Sequence, residues 1–146
     1  MRIINAESVA KCLPYSDLIE KLRVAFTQDT CAPERTNHTI KNTQDSASSL
    51  LLMPAWKQEE SIGIKIVSVF PENTANNLSA VHANYILMSA KDGLPKAIMD
   101  GSELTLRRTA CASALAADYL AKDRSKIFLM VGTGNLAPHL IRAHMK

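Results

Sequence analysis

No stretch of this 146-residue sequence is apolar for long enough to cross a bilayer, which takes about 20 residues. No secretory apolar segment follows Met1, and the three cysteines, Cys12, Cys31 and Cys111, are odd in number and lack metal-ligand spacing. They read as reduced thiols of a cytoplasmic protein. Lys and Arg number 17 against 14 Asp and Glu and are scattered, so the basic stripe that nucleic-acid binding requires is lacking. His139 and His144 are five apart and do not share a helix face, and no His pairs with a carboxylate at ligand spacing. No metal site is expected. Low-complexity runs and internal repeats are also lacking. What is present, 47% hydrophobic and 21% charged residues, suits a folded domain able to bury a real core.

Hydropathy patterning sets out the elements in order. Residues 1–4 suit a short strand, and 6–13 a helical turn or two stopped by Pro14. Ser16 is placed to cap a helix over 17–28, where Leu18, Ile19, Leu22, Ala25 and Phe26 recur at helical spacing. Residues 37–41 and 48–53 read as two strands around a polar turn, the second ended by Pro54. A β-branched run follows at 62–70, closed by Pro71, then a polar loop through Asn73, Asn76 and Asn77. Strands at 81–88 and 95–99 flank Lys91-Asp92-Gly93 as a hairpin. Ser102 is placed to cap a helix from Glu103 to about Leu120, alanine-rich and able to pack closely. The fold class is α/β: a mostly antiparallel sheet with helices, followed by the opening of a parallel unit.

That opening lies at 126–131, Lys-Ile-Phe-Leu-Met-Val, which runs into Gly132-Thr133-Gly134-Asn135-Leu136-Ala137. A strand that breaks into G-x-G-x-x-A and then a helix is how dinucleotide-binding domains begin. Gly132 permits the sharp turn, Gly134 lets backbone approach a pyrophosphate, and Ala137 lets the helix pack closely. The helix N-terminus then faces the phosphates, and Pro138 is tolerated in its first turn. The crossover and the acidic residue about 20 positions further on that complete such a site do not follow within the sequence, so half a site is expected.

Three cations stand out. Lys65 interrupts an apolar strand, Arg35 follows Pro33 where the sheet begins, and Arg107-Arg108 occupy the first turns of a helix, where a cation opposes the dipole. Two readings stay open on the residues alone. Arg35, Lys65 and Arg108 converge on a carboxylate, Arg as a fork and Lys as a point charge, or Lys65 faces solvent and the arginines pair with surface acids. His82 could border a pocket or be a satisfied strand residue. Met53 and Trp56 around Pro54 fit a pocket-lining loop or plain core, and Cys111 fits a small buried apolar site.

The segments Gly63-x-Lys65, Phe70-Pro71-x-Asn73, Asp92-Gly93-x-Pro95, Met99-Asp100-Gly101, Leu104-Thr105, Arg108-Thr109-Ala110 and Gly132-Thr133-Gly134 resemble, in order and spacing, the ornithine cyclodeaminase and μ-crystallin family. The nearest likeness is to its imine-reducing branch, the Δ1-pyrroline-2-carboxylate and Δ1-piperideine-2-carboxylate reductases. Ornithine cyclodeaminases typically carry Gln at the position of Leu136. The resemblance implies an N-terminal substrate and dimerisation domain over 1–123 and the start of an NAD(P)-binding Rossmann domain over 124–146. It implies that Arg35, Lys65 and Arg108 bind the substrate, Lys65 as the catalytic candidate. Arg108 would also touch the cofactor, with Thr109, Gly132, Thr133, Gly134, Asn135, Leu136 and Ala137. The implied reaction is NAD(P)H-dependent reduction of a cyclic imine carboxylate by a homodimer; ornithine cyclodeaminase or alanine dehydrogenase activity, and a non-catalytic dimerisation module, are the alternatives. Family members are about twice as long, so this chain is expected to be a truncated form, inactive alone.

Overall fold

The computed structural model describes residues 1–41 and 47–146. The described residues form two compact units, one of Met1–Ala6 and Asp29–Ser102, the other of Glu7–Gln28 and Glu103–Lys146.

The first unit is a six-stranded sheet of β1 (Arg2–Ile4), β2 (Thr36–Lys41), β3 (Ala47–Lys57), β4 (Ser61–Val69), β5 (Val81–Ser89) and β6 (Pro95–Asp100). Its order is β1-β6-β5-β4-β3-β2, with β1 parallel to β6 and every other neighbour antiparallel. Within this unit the expected strands are present, the hairpin of 81–88 and 95–99 among them, in the mixed and mostly antiparallel α/β arrangement that the sequence indicates. The hairpin turn is held by the Asp92 carboxylate, which accepts the Leu94 N–H at 3.1 Å; that bond keeps the carboxyl below its usual range.

Register fixes which side chains share a face. Met53, Lys65, Tyr85 and Met99 form one cross-strand row, extended by Ile4. Because side chains alternate along a strand, the same face carries the buried Gly63, Val67, Ala83 and Ala97. The opposite face carries Leu52, Ile64, Ile66, Ile86 and Ile98, all half-exposed.

Several expectations need correction. Strand β3 does not end at Pro54 but continues to Lys57. Trp56 exchanges both backbone hydrogen bonds with Cys31, so residues of its parity aim N–H and C=O away from β4. Pro54 therefore falls between that bridge and the Thr36–Leu52 pair, where a missing donor breaks no ladder bond. Met53 and Trp56 accordingly lie on a strand, on opposite faces, rather than in a loop. The polar loop after Pro71 is a 3₁₀ turn, Pro71–Asn76, closed by Asn77 at φ 56°. The polar turn expected before residue 48 falls on 42–46, outside the described residues.

The second unit holds residues from Glu7 onward of α1 (Ala6–Cys12), α2 (Tyr15–Ala25), residues from Glu103 onward of α3 (Gly101–Leu120), and α4 (Ala137–His144). Helix α2 starts two residues earlier than expected, with Pro14 at the N-cap position. Ser16 is therefore inside the first turn and gives its hydroxyl to Asp17 instead. Similarly, α3 already includes Gly101 and Ser102. Tyr15, Leu18 and Ile19 of α2, Ala110, Cys111, Ala114 and Leu115 of α3, and Ala143 of α4 make the core, with Leu136 and Leu140 packed on it. Ala110 and Cys111 are 0% exposed, as the alanine-rich pattern implies, and burial pushes the Cys111 thiol up.

The strand expected at 126–131 is not formed. Ile127, Leu129 and Val131 are 91%, 81% and 82% exposed, and the segment has no ladder partner among the described residues. A strand closes its hydrogen bonds only with a neighbour; helix α4 closes its own and buries an apolar stripe, so it forms as expected.

Candidate functional site

Lys65 sits mid-strand in β4, opposite Met53 on one side and Tyr85 on the other. It is half-buried and already engaged with a partner. Gly63, on the same face, is buried beneath the Tyr85 ring: a methyl group there would overlap the Tyr85 hydroxyl and come 2.6 Å from its Cζ. The Gly-x-Lys pattern thus has a packing cause on the neighbouring strand. Burial raises the Tyr85 phenol above its ordinary range.

Arg35 is exposed and immediately precedes Thr36, which pairs with Leu52. The Cys31–Trp56 bridge is one residue out of step with the Thr36–Leu52 pair, so residues 32–35 leave the ladder and Arg35 stands at the entry to β2, outside the paired row of Lys65. His82 pairs with Ser68 on the other face and is exposed.

The second unit holds the remaining sequence candidates. Arg107 and Arg108 are adjacent but differ in duty. Arg107 donates to Glu103 at 2.6 Å and to the Leu13 carbonyl at 2.9 Å, and its guanidinium lies 4.6 Å from the Tyr15 ring centroid. Its donors are spent on tying the α1–α2 junction to α3. Arg108 is exposed, its guanidinium 5.9 Å from the Phe26 ring centroid, and Thr109 beside it is half-buried.

In the Gly-rich segment, Gly132 has φ +103°, a conformation that favours glycine. Nothing lies within 4 Å of a methyl built on Gly132 or Gly134, so this backbone is open to close approach by a ligand. Thr133 and Asn135 are exposed, whereas Leu136 packs on the helical core and Ala137 is buried. The Ala137 N–H bonds the Gly134 carbonyl at 2.9 Å, and Pro138 falls in the first turn of α4. These features fit a dinucleotide turn at Gly132 to Asn135.

A groove of about 780 Å³ borders α2, α3 and 125–128 and is lined by Glu20, Asp118, Lys122, Phe128 and His144 among others; no sequence-derived site residue lines it. Among the described residues, no three His, Cys, Asp or Glu side chains are grouped to hold a metal ion, and no helix is long and apolar enough to cross a membrane. Sequence reasoning missed Tyr85. Aligning the strands at 62–70 and 81–88 as neighbours would have found it opposite Lys65, since a two-residue period then fixes the shared face.

A profile of the ornithine cyclodeaminase/mu-crystallin family matches residues 2–145. The chain therefore belongs to that family. It is 41% identical over 148 residues to Protein SAR DEFICIENT 4 of Arabidopsis thaliana, covering 97% of this chain and 44% of the relative. It is 35% identical over 147 residues to a Delta(1)-pyrroline-2-carboxylate reductase of Colwellia psychrerythraea, covering 99% and 46%. Among solved structures, the Thermococcus litoralis Delta(1)-pyrroline-2-carboxylate reductase in complex with NADH and L-proline is similar, with a TM-score of 0.74 and 30% identity over 86% of this chain and 40% of that one. The chain thus spans about half the length of the curated relatives it matches.

Proposed function

We propose that this chain carries the substrate half of an NAD(P)H-dependent reductase of cyclic imine carboxylates, of the Δ1-pyrroline-2-carboxylate to proline type. The observation that carries the reading is Lys65, half-buried in mid-strand on the sheet face that it shares with Met53, Tyr85 and Met99. A point charge set there suits a small carboxylate, to which Arg35 adds a fork from the entry to β2, and the half-buried Met53, Tyr85 and Met99 in the row of Lys65 suit its apolar body. Arg108, whose donors are not consumed as those of Arg107 are, serves as the third substrate cation and touches the cofactor with Thr109. Gly132, Thr133, Gly134, Asn135, Leu136 and Ala137 form the cofactor turn. Residues 1–123 act as the substrate and dimerisation domain, and 124–146 open the Rossmann domain.

When bound, the nicotinamide supplies a hydride for the imine carbon. The residues of this chain bind and orient: Arg35 and Arg108 fix the carboxylate so that the imine carbon is held in one place. Lys65 fixes the same carboxylate and favours one protonation state of the neighbouring nitrogen. A homodimer through the first unit is supported by the half-exposed apolar face of Leu52, Ile64, Ile66, Ile86 and Ile98, and a reducing, cytoplasmic setting by the free thiols Cys12, Cys31 and Cys111. Alone, the 146-residue chain is inactive, a reading supported by the unpaired apolar segment 126–131.

The test is a chimera in which these 146 residues replace the matching half of the Colwellia reductase. NADH oxidation at 340 nm with Δ1-pyrroline-2-carboxylate is expected from the chimera and not from the chain alone, and Arg35→Ala, Lys65→Met and Arg108→Ala each remove most of it. A chimera that turns over ornithine, or pyruvate with ammonia, in preference to the imine would overturn the substrate assignment. Micromolar NADPH binding by the chain alone would overturn its inactivity, and a monomer in sedimentation would overturn the dimer.

A further inference from the structure

The Gly63-Ile64-Lys65 pattern takes its sense from the next strand. Tyr85 stands directly opposite Lys65, and such partners hold Cβ atoms about 4.5–5.5 Å apart on one face. From there the phenol leans diagonally across Gly63, which supplies the floor that any side chain would destroy. The ring is thereby fixed beside the lysine. Among the described residues its hydroxyl has no hydrogen-bond partner and no fully enclosed side-chain polar atom lacks one, so this hydroxyl keeps access to its surroundings.

Resting on the reading above, we infer that Tyr85 is a specificity-determining positioning residue whose neutral hydroxyl donates a hydrogen bond to the carboxylate of a small cyclic substrate drawn to Lys65. Burial holds the phenol protonated at neutral pH, which makes it a donor and disqualifies it as a base. A charge-assisted bond of this kind is short and directional. It adds to Lys65 the geometry that a point charge lacks.

The probes are L-proline and pyrrole-2-carboxylate, titrated into the full chain carrying ¹³Cζ-labelled tyrosine, which reports on Tyr15, Tyr85 and Tyr119 separately. The Tyr85 resonance is expected to shift and saturate while Tyr119 stays in place, and Lys65→Met is expected to abolish the shift. Tyr85→Phe is expected to weaken binding about ten-fold. In the chimera it raises KM about ten-fold with kcat little changed, and it removes the alkaline limb of the KM profile that follows phenol ionisation. If Tyr85→Phe fails to fold, the wild-type resonance alone decides. An active chimera with unchanged KM in Tyr85→Phe, or ligand binding that leaves the Tyr85 resonance still, overturns the Tyr85 assignment and spares the imine-reductase reading. A chimera that neither binds these probes nor reduces the imine overturns both.

Discussion

Strand β4 and residues 126–131 both read as strands in the sequence, and they end differently. Both are apolar, rich in β-formers and closed by a breaking residue, Pro71 in one case and Gly132 in the other. Yet β4 pairs along its whole length with β3 and β5, while Leu129 in the other run is 81% exposed. Composition cannot account for the difference. β-propensity describes how a residue fits a surface supplied by other strands, and a run apolar on both faces is the pattern of a strand buried between neighbours.

Proline substitution breaks this comparison most sharply. Ile66→Pro removes a ladder bond in the sheet centre, where Ile66 lies between Leu52 and Asn84. A loss of about 3 kcal/mol or more is expected, a large share of a marginal stability. Leu129→Pro is expected to shift stability by no more than about 0.5 kcal/mol. Urea denaturation of the two variants checks this, and equal losses would show that 126–131 is paired in solution.

Adjacent arginines give the next contrast. The Arg107 and Glu103 side chains are only 12% and 17% exposed, so Arg107→Ala strands a largely buried carboxylate and a carbonyl. A loss of about 3 kcal/mol is expected, against nearly none for Arg108→Ala. Thermal melts of the chain give the stability order, and turnover of the chimera gives the reverse order for activity. If Arg108→Ala proved the more destabilising, the division of labour between them would be wrong.

How much of this was legible beforehand depends on the range of the interaction concerned. Local rules sufficed for the Lys91-Asp92-Gly93 hairpin, for the close packing of Ala110 and Cys111, and for Pro138 in a first helical turn. Charges in unexpected places singled out Arg35, Lys65 and the Arg107-Arg108 pair, and the family motif chose Arg108 within it, but neither could tell that Arg107 would be consumed by Leu13, 94 residues away in sequence. Pro54 misled because proline stops a strand only where its nitrogen should donate, and that depends on where β2 leaves the ladder. Tyr85 stayed hidden for the same reason, since opposition across strands is set by register and no single segment contains it.

Gly63→Ala probes that hidden pairing with a smaller effect. Overpacking beneath the Tyr85 ring is expected to cost about 2 kcal/mol. Tyr85→Val should recover much of it in the double variant, a non-additivity that only touching residues show. Additive losses would mean that the Tyr85 ring does not rest on Gly63 in solution.

The smallest effect concerns α4, the element beside 126–131 that forms without a sheet. Its His139 Nδ1 lies 3.0 Å from the Tyr15 hydroxyl, and Glu103, Arg107 and Arg142 act on it from α3 and α4. Burial lowers the His139 pKa from its ordinary 6.5, Arg107 and Arg142 push the same way, and Glu103 opposes them. A folded pKa below the unfolded one means that the unfolded chain takes up the proton first. The neutral imidazole's contribution is therefore present above about 6.5 and lost as pH falls through the lower folded value. Melting temperatures from pH 7.5 down to 5 are expected to fall more steeply for the wild type than for His139→Gln. Parallel curves would mean that α4 holds its place by its apolar stripe alone, with no share from the Tyr15–His139 bond.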